Sequence, residues 1–135
     1  MSLTDAPAII TQLATQLAAC AGWSGESWYP EVPDLGSATL PAAALSEMNR
    51  RYTPYAAGAS GLPSGDLEIK IYSAASIGVL ESLGRTIIDQ LLAQQSGIPF
   101  RPGDCGLCSD QTSGMEAAGD SIRSITINLS YGLDA

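Results

Sequence analysis

Between Asp66 and Leu91 the apolar residues change period in mid-run, and no other feature constrains the fold as tightly. Over "DLEIKIY", Leu67, Ile69 and Ile71 alternate with Glu68, Lys70 and Tyr72. That two-residue period predicts a strand with one buried face. Over residues 74–96 the period becomes helical. Ile77, Leu80, Gly84, Ile87, Ile88 and Leu91 share one face, and Glu81, Arg85 and Asp89 share the other. Glu81 and Arg85 stand four apart in the favourable order, and Gly97 fits a C-terminal cap. Burying such an apolar face is worth on the order of 10 kcal/mol before the entropy of ordering is subtracted. Gly84, on that face, leaves room for a large side chain or another backbone to approach.

A second alternating run, "SIRSITINLSYGL", gives this helix something to cover. Ile125, Ile127, Leu129 and Tyr131 point one way, and Ser124, Thr126, Asn128 and Ser130 the other. The second set is polar, uncharged and β-prone, as expected of a strand that faces another subunit or a wet sheet face. Near the start, residues 4–20 predict a first helix with Thr4 as N-cap, Asp5 and Pro7 in its first turn, and Gly22 as a stop. Ile9, Ile10, Leu13, Leu17 and Cys20 form its apolar stripe. Residues 23–37 predict an irregular connection with a short strand near Ser27–Val32.

The run after it is ambiguous: Leu40-Pro41 suits a strand start or an edge, whereas "PAAALSEM" has helix propensity. Residues 53–65, "TPYAAGASGLPSG", predict a long loop, and residues 98–120 a variable one. Helix, strands, helix, strand is an α+β arrangement. The expectation is one domain over residues 1–135, with two helices packed on one face of a mostly antiparallel sheet.

Composition narrows the function. The net charge is −8, and the basic residues are Lys70, Arg50, Arg51, Arg85, Arg101 and Arg123, with no dense cluster beyond Arg50-Arg51. Tight nucleic-acid binding needs several positive charges against phosphates, so no specific nucleic-acid binding is expected. A surface that nucleic acid slides past without sticking remains compatible. Charged residues are 15% of the chain, against roughly 25% in ordinary soluble proteins, which suits a subunit that buries surface by assembling. The first residues carry no basic segment ahead of an apolar run, and no stretch of about 18 apolar residues occurs. Neither a signal peptide nor a membrane partner is expected, and assembly is placed in a reducing cytoplasm.

Chemistry has one candidate, "RPGDCGLCSD", which holds Cys105 and Cys108 of the chain's three cysteines. A redox pair of the thioredoxin kind needs a helix after the first thiol to lower its pKa. Here "SDQTSGMEAAGD" follows, and Asp104 and Asp110 flank the pair and oppose thiolate formation. A structural zinc needs four ligands; the chain has no histidine, and Cys20 lies on a core stripe. The segment therefore reads as a loop, with an opportunistic disulfide, a metal site and a redox module as alternatives.

The absence of histidine also excludes Ser-His-Asp and Cys-His catalysis. No phosphate-binding loop ending in Gly-Lys-Ser/Thr occurs. Asp66 and Glu68 suit acid–base work only formally, because they belong to an exposed sheet face. No enzyme activity, cofactor or metal is expected.

The order of elements resembles the tail-terminator and neck proteins, which join head to tail in tailed bacteriophages. The resemblance rests on Leu40-Pro41-Ala42 at the start of an early strand and on the alternating strand running into a helix with leucines at helical spacing, Leu67 to Leu91. It covers most of the chain through degenerate motifs, and the Cys-Gly-Leu-Cys segment lies outside the pattern. It implies a small α+β structural subunit of the virion. Such a subunit forms a ring, usually a hexamer, that caps the tail tube and meets neck or head-completion proteins while DNA passes through its lumen. It carries no catalytic residue. Head-completion, neck-adaptor and tail-tube proteins are the neighbouring alternatives. For the contact with a neighbour, the paired charges Arg50 and Arg51 beside Tyr52 and Tyr55 are the candidate interaction residues. Arginine and tyrosine are enriched at interface hot spots, and in a ring of acidic subunits these arginines would meet a neighbour's carboxylates.

Overall fold

The structure, a computed structural model, describes residues 7–29, 41–51, 64–94, 98, 100–110, 116–117 and 120–132. Its elements follow the order α1 (Ala8–Ala18), β1 (Glu26–Trp28), β2 (Ala42–Arg51), β3 (Ser64–Ser73), α2 (Ile77–Ala93), β4 (Phe100–Asp110), β5 (Glu116–Ala117), β6 (Asp120–Ser121) and β7 (Arg123–Tyr131). Five strands form one sheet in the order β1-β2-β3-β7-β4, and β5 pairs with β6 separately. Only β1 with β2 is parallel; the other joints of the large sheet are antiparallel. The fold is the expected α+β arrangement.

The alternation of "DLEIKIY" becomes strand β3 because both its neighbours offer matching apolar rows. Ile71 lies opposite Ala43 and Ile125, and Ile69 opposite Leu45 and Ile127. All six of these side chains except Leu45 are wholly buried, and Leu45 is nearly so. α2 covers β7 and β4, while α1 lies over β2 and touches α2. Leu80, Ile87 and Leu91 bring the helical stripe into the same core as Ile10, Leu13 and Leu17 of α1. At Gly84 α2 lies close against the sheet: a Cβ there would stand 2.8 Å from both Ile125 Cδ1 and Leu107 Cδ1. The expected close approach is made by these two side chains.

The helix ends follow local chemistry. Ser76 caps α2, its hydroxyl accepting from the Val79 N–H at 3.4 Å. The helix stops at Ala93 with an extended Gln94, short of residue 96; Gly97 lies outside the described residues. α1 begins at Ala8, with Pro7 at the cap and no side-chain cap bond. Proline has no N–H to satisfy but offers its carbonyl, which accepts from the Thr11 N–H at 3.0 Å. Thr4 and Asp5 lie outside the described residues. α1 ends at Ala18 with Ala19 as its C-cap, short of the expected residue 20, and Gly22 lies beyond it in the left-handed region at φ +84°. The helix ends are tied together at Gln16, whose carbonyl accepts from the Cys20 thiol at 3.4 Å and from Gln94 Nε2 at 3.1 Å.

One ambiguity is resolved and three expectations are corrected. The ambiguous run around Ala42–Met48 is strand β2, because its small side chains pack between β1 and β3 and burial outweighs helix propensity. The short early strand ends at Trp28, earlier than expected. The loop predicted over 53–65 gives its last residues, Ser64 and Gly65, to β3, and residues 53–63 lie outside the described ones. The largest correction falls on the predicted loop 98–120. It contains β4, an eleven-residue edge strand, and the short β5–β6 pair. Pro102 and Gly103 obscure β4 in the sequence. An edge strand tolerates both, and here they fall where the register with β7 shifts between Phe100 and Cys105.

Candidate interaction surface

With both helices on one side, the second face of the sheet carries no helix among the described residues. Cross-strand register defines the rows of that face. Ala42, Tyr72 and Ser124 form one, Ala44, Lys70 and Thr126 the next, then Ser46, Glu68 and Asn128, and last Met48, Asp66 and Ser130. Gly106 continues the third row on β4. The uncharged polar positions of the last strand lie here, as its alternation predicts.

The two ends of the face differ. Tyr72 is buried and packs with Ile122 and Ala44 in a small cluster apart from the main core. Lys70 Nζ stands 5.7 Å from the Tyr72 ring centroid, within cation–π range. Beside them the Ser124 hydroxyl is buried with no hydrogen-bond partner among the described residues. At the other end Ser130 Oγ donates to Asp66 Oδ1 at 2.7 Å, holding that carboxylate along the sheet, and Met48 is 41% exposed. On the helix side of the same end the buried Tyr131 hydroxyl donates to Glu47 Oε2.

The predicted contact residues divide. Arg50 and Arg51 are the last two positions of β2. A bulge lies just before them: Met48 pairs with Asp66 and Arg51 with Ser64, so β2 spends one residue more than β3 over this span. With that extra residue, the backbone returns position 51 to the face of position 48. Tyr52 and Tyr55 lie outside the described residues. The bulge beside the arginine pair was not foreseen, because nothing in the local sequence signals it.

Cys105 and Cys108 belong to a strand and not to a loop. Cys105 pairs with Leu129 and Cys108 with Thr126. Leu129 belongs to the main core and Thr126 to the helix-free face. Positions three apart on a strand fall on opposite faces, so the two cysteine positions belong to opposite faces of the sheet. Among the described residues no group of three His, Cys, Asp or Glu is arranged to hold a metal ion. Cys20 is buried, and burial pushes its thiol pKa up, which makes it a poor nucleophile. Among the described residues no helix is long and apolar enough to cross a membrane.

Comparison with protein-family models and with curated proteins returns no match.

Proposed function

We propose that this chain is a structural virion protein. It is a subunit of the tail-terminator ring that caps the tail tube of a tailed phage and joins it to the neck or head. The observation that carries the reading is the helix-free sheet face. Its described side chains are mostly uncharged, with Asp66, Glu68 and Lys70 as the charged ones. In a chain with only 15% charged residues and a net charge of −8, such a face suits either contact with neighbouring subunits or the wall of a passage for DNA. A net negative wall does not hold a polyanion. The order of elements supports the same reading through the resemblance stated above. The chain acts by assembly, without catalysis, cofactor or metal. Its partners are copies of itself in a ring, usually a hexamer in the family it resembles, and the tail-tube and neck proteins above and below. It assembles in the host cytoplasm and resides in the virion.

The test is electron microscopy of the purified protein mixed with isolated tail tubes and with filled heads. A tail terminator adds a ring at one end of each tube. Density along the whole tube instead identifies a tail-tube protein, and density at the head vertex a head-completion protein. Binding to neither tubes nor heads refutes the proposal.

A further inference from the structure

We infer that copies of this chain join edge to edge, β2 of one pairing antiparallel with β4 of the next. The register sets Met48 against Gly106 and Arg51 against Asp104. The inference rests on the self-association reading above and names the surface that makes it.

Strand direction comes first. β2 and β7 run one way, and β3 and β4 the other. The two sides of the sheet therefore end on strands of opposite direction. A neighbour rotated about an axis roughly along the strands brings its β4 alongside β2 already antiparallel, and repeated rotation closes a ring. Among the described residues both edges are open to this. β4 is the last strand of its side. On the other side β1 accompanies only Ala42–Ala44, and no described strand continues alongside the rest of β2. An open stretch from Leu45 to Arg51, roughly 20–23 Å long at strand rise, is long enough for a specific ladder. Left bare, such an edge invites unselected pairing.

Register comes second. A joint that keeps each sheet face continuous must pair positions of the same face. Leu45 and Glu47 belong to the helix side and Ser46 and Met48 to the other. On β4, positions 107 and 109 belong to the helix side, and 106 and 108 to the other. Setting Leu45 against Ser109, Ser46 against Cys108, Glu47 against Leu107 and Met48 against Gly106 satisfies every pair. The β2 bulge then carries the ladder onward, so that Arg51 falls against Asp104, as it falls against Ser64 within its own sheet.

Two features select this register over a slip of two residues. It sets the basic end of β2 against the neighbour's Asp104. It also lays Met48, 41% exposed, over Gly106, where a Cβ would find nothing within 4 Å.

The test uses two charge-reversed proteins, Arg50→Glu/Arg51→Glu and Asp104→Lys, each checked for native circular dichroism and compared with wild type by native mass spectrometry. Each variant alone loses assembly. Mixed, they regain it with strictly equal content of the two, because each β2 then meets a β4 of opposite charge. Independently, Ser46→Cys joins to the native Cys108 of a neighbour under a short thiol cross-linker, since opposed positions have Cβ atoms about 4.5–5.5 Å apart. Adding Cys108→Ser abolishes the product.

A wild-type ring with an unaffected Asp104→Lys variant, or with no Ser46→Cys cross-link, overturns the edge joint and leaves the ring standing. An Asp104→Lys protein that assembles normally while the arginine variant does not indicates β2 pairing with β2. A wild-type protein that is monomeric at every concentration overturns both the joint and the self-association beneath it.

Discussion

Gly78 and Gly84 lie in the same helix, and the same substitution is expected to have opposite effects at the two. Replacing an exposed helical glycine by alanine gains up to about 1 kcal/mol from reduced unfolded-state freedom. At Gly78 nothing stands within 4 Å of the new Cβ, so Gly78→Ala stabilises by about 0.5–1 kcal/mol. At Gly84 the same gain meets Ile125 Cδ1 and Leu107 Cδ1, each 2.8 Å from the new atom. Both are methyl ends of flexible side chains, but Ile125 is wholly buried between α2 and the sheet. Overpacking of this kind costs about 1–3 kcal/mol. Gly84→Ala is thus destabilising by about 0–2 kcal/mol, and the two variants separate by about 1–3 kcal/mol.

Urea unfolding at one fixed protein concentration reads the difference as a shift in midpoint at unchanged slope. The clash is shared with Leu107. Gly84→Ala should therefore cost less in a Leu107→Ala background, with a coupling of at least about 0.5 kcal/mol. If Gly84→Ala stabilises as much as Gly78→Ala, α2 does not sit this close to β7 and β4, and the packing argued above is wrong.

Other outcomes follow from the same contacts. Tyr131→Phe leaves a Glu47 carboxylate oxygen short of its buried donor and costs about 1–3 kcal/mol in thermal or urea unfolding, whereas a neutral result dismisses that bond. Mild oxidation leaves Cys105 and Cys108 without a bond to each other, because their register positions lie on opposite faces; an intact mass lower by two hydrogens, mapped to that pair, contradicts the strand assignment. Cys20 has a folded pKa raised above 9.0 by burial, so above that pH the unfolded chain releases the proton first and stability falls as pH climbs towards the folded value. Cys20→Ala removes this contribution, so its stability deficit against wild type narrows above pH 9.0; a deficit constant with pH refutes it. Gly25→Ala separates β1 from β2, since a Cβ there meets the Pro41 carbonyl oxygen and the Trp23 ring; unchanged stability means that junction is not as described.

The parts of the fold legible in the sequence are those where one face alone is buried. β3, α2 and β7 announce themselves because Leu67, Leu80 and Ile127 recur at the period of their element, and the polar strand face could be named before its sheet was known. β2 was ambiguous because alanines carry no strong period and because the helix propensity of "PAAALSEM" is local, whereas its burial depends on strands far along the chain. β4 was hidden for a different reason. An edge strand with a register shift tolerates proline and glycine, so "FRPGDCGLCSD" carries the composition of a loop while its carbonyls and amides complete a ladder with β7. That hidden strand also puts the two cysteine positions on opposite faces, which spacing read as a loop does not show. Of the interaction residues, Arg50 and Arg51 were visible as the chain's paired positive charges. The bulge that orients their backbone was not, because it arises only from pairing with β3.

The central claim is that this chain functions by closing into a ring. Sedimentation velocity of the wild-type protein over a wide concentration range tests it most directly, supported by class averages of the same sample. The account predicts a single closed species of fixed stoichiometry, six if the resemblance holds in full, with a central opening. A protein that sediments as a monomer throughout, alone and in the presence of tail tubes, contradicts it.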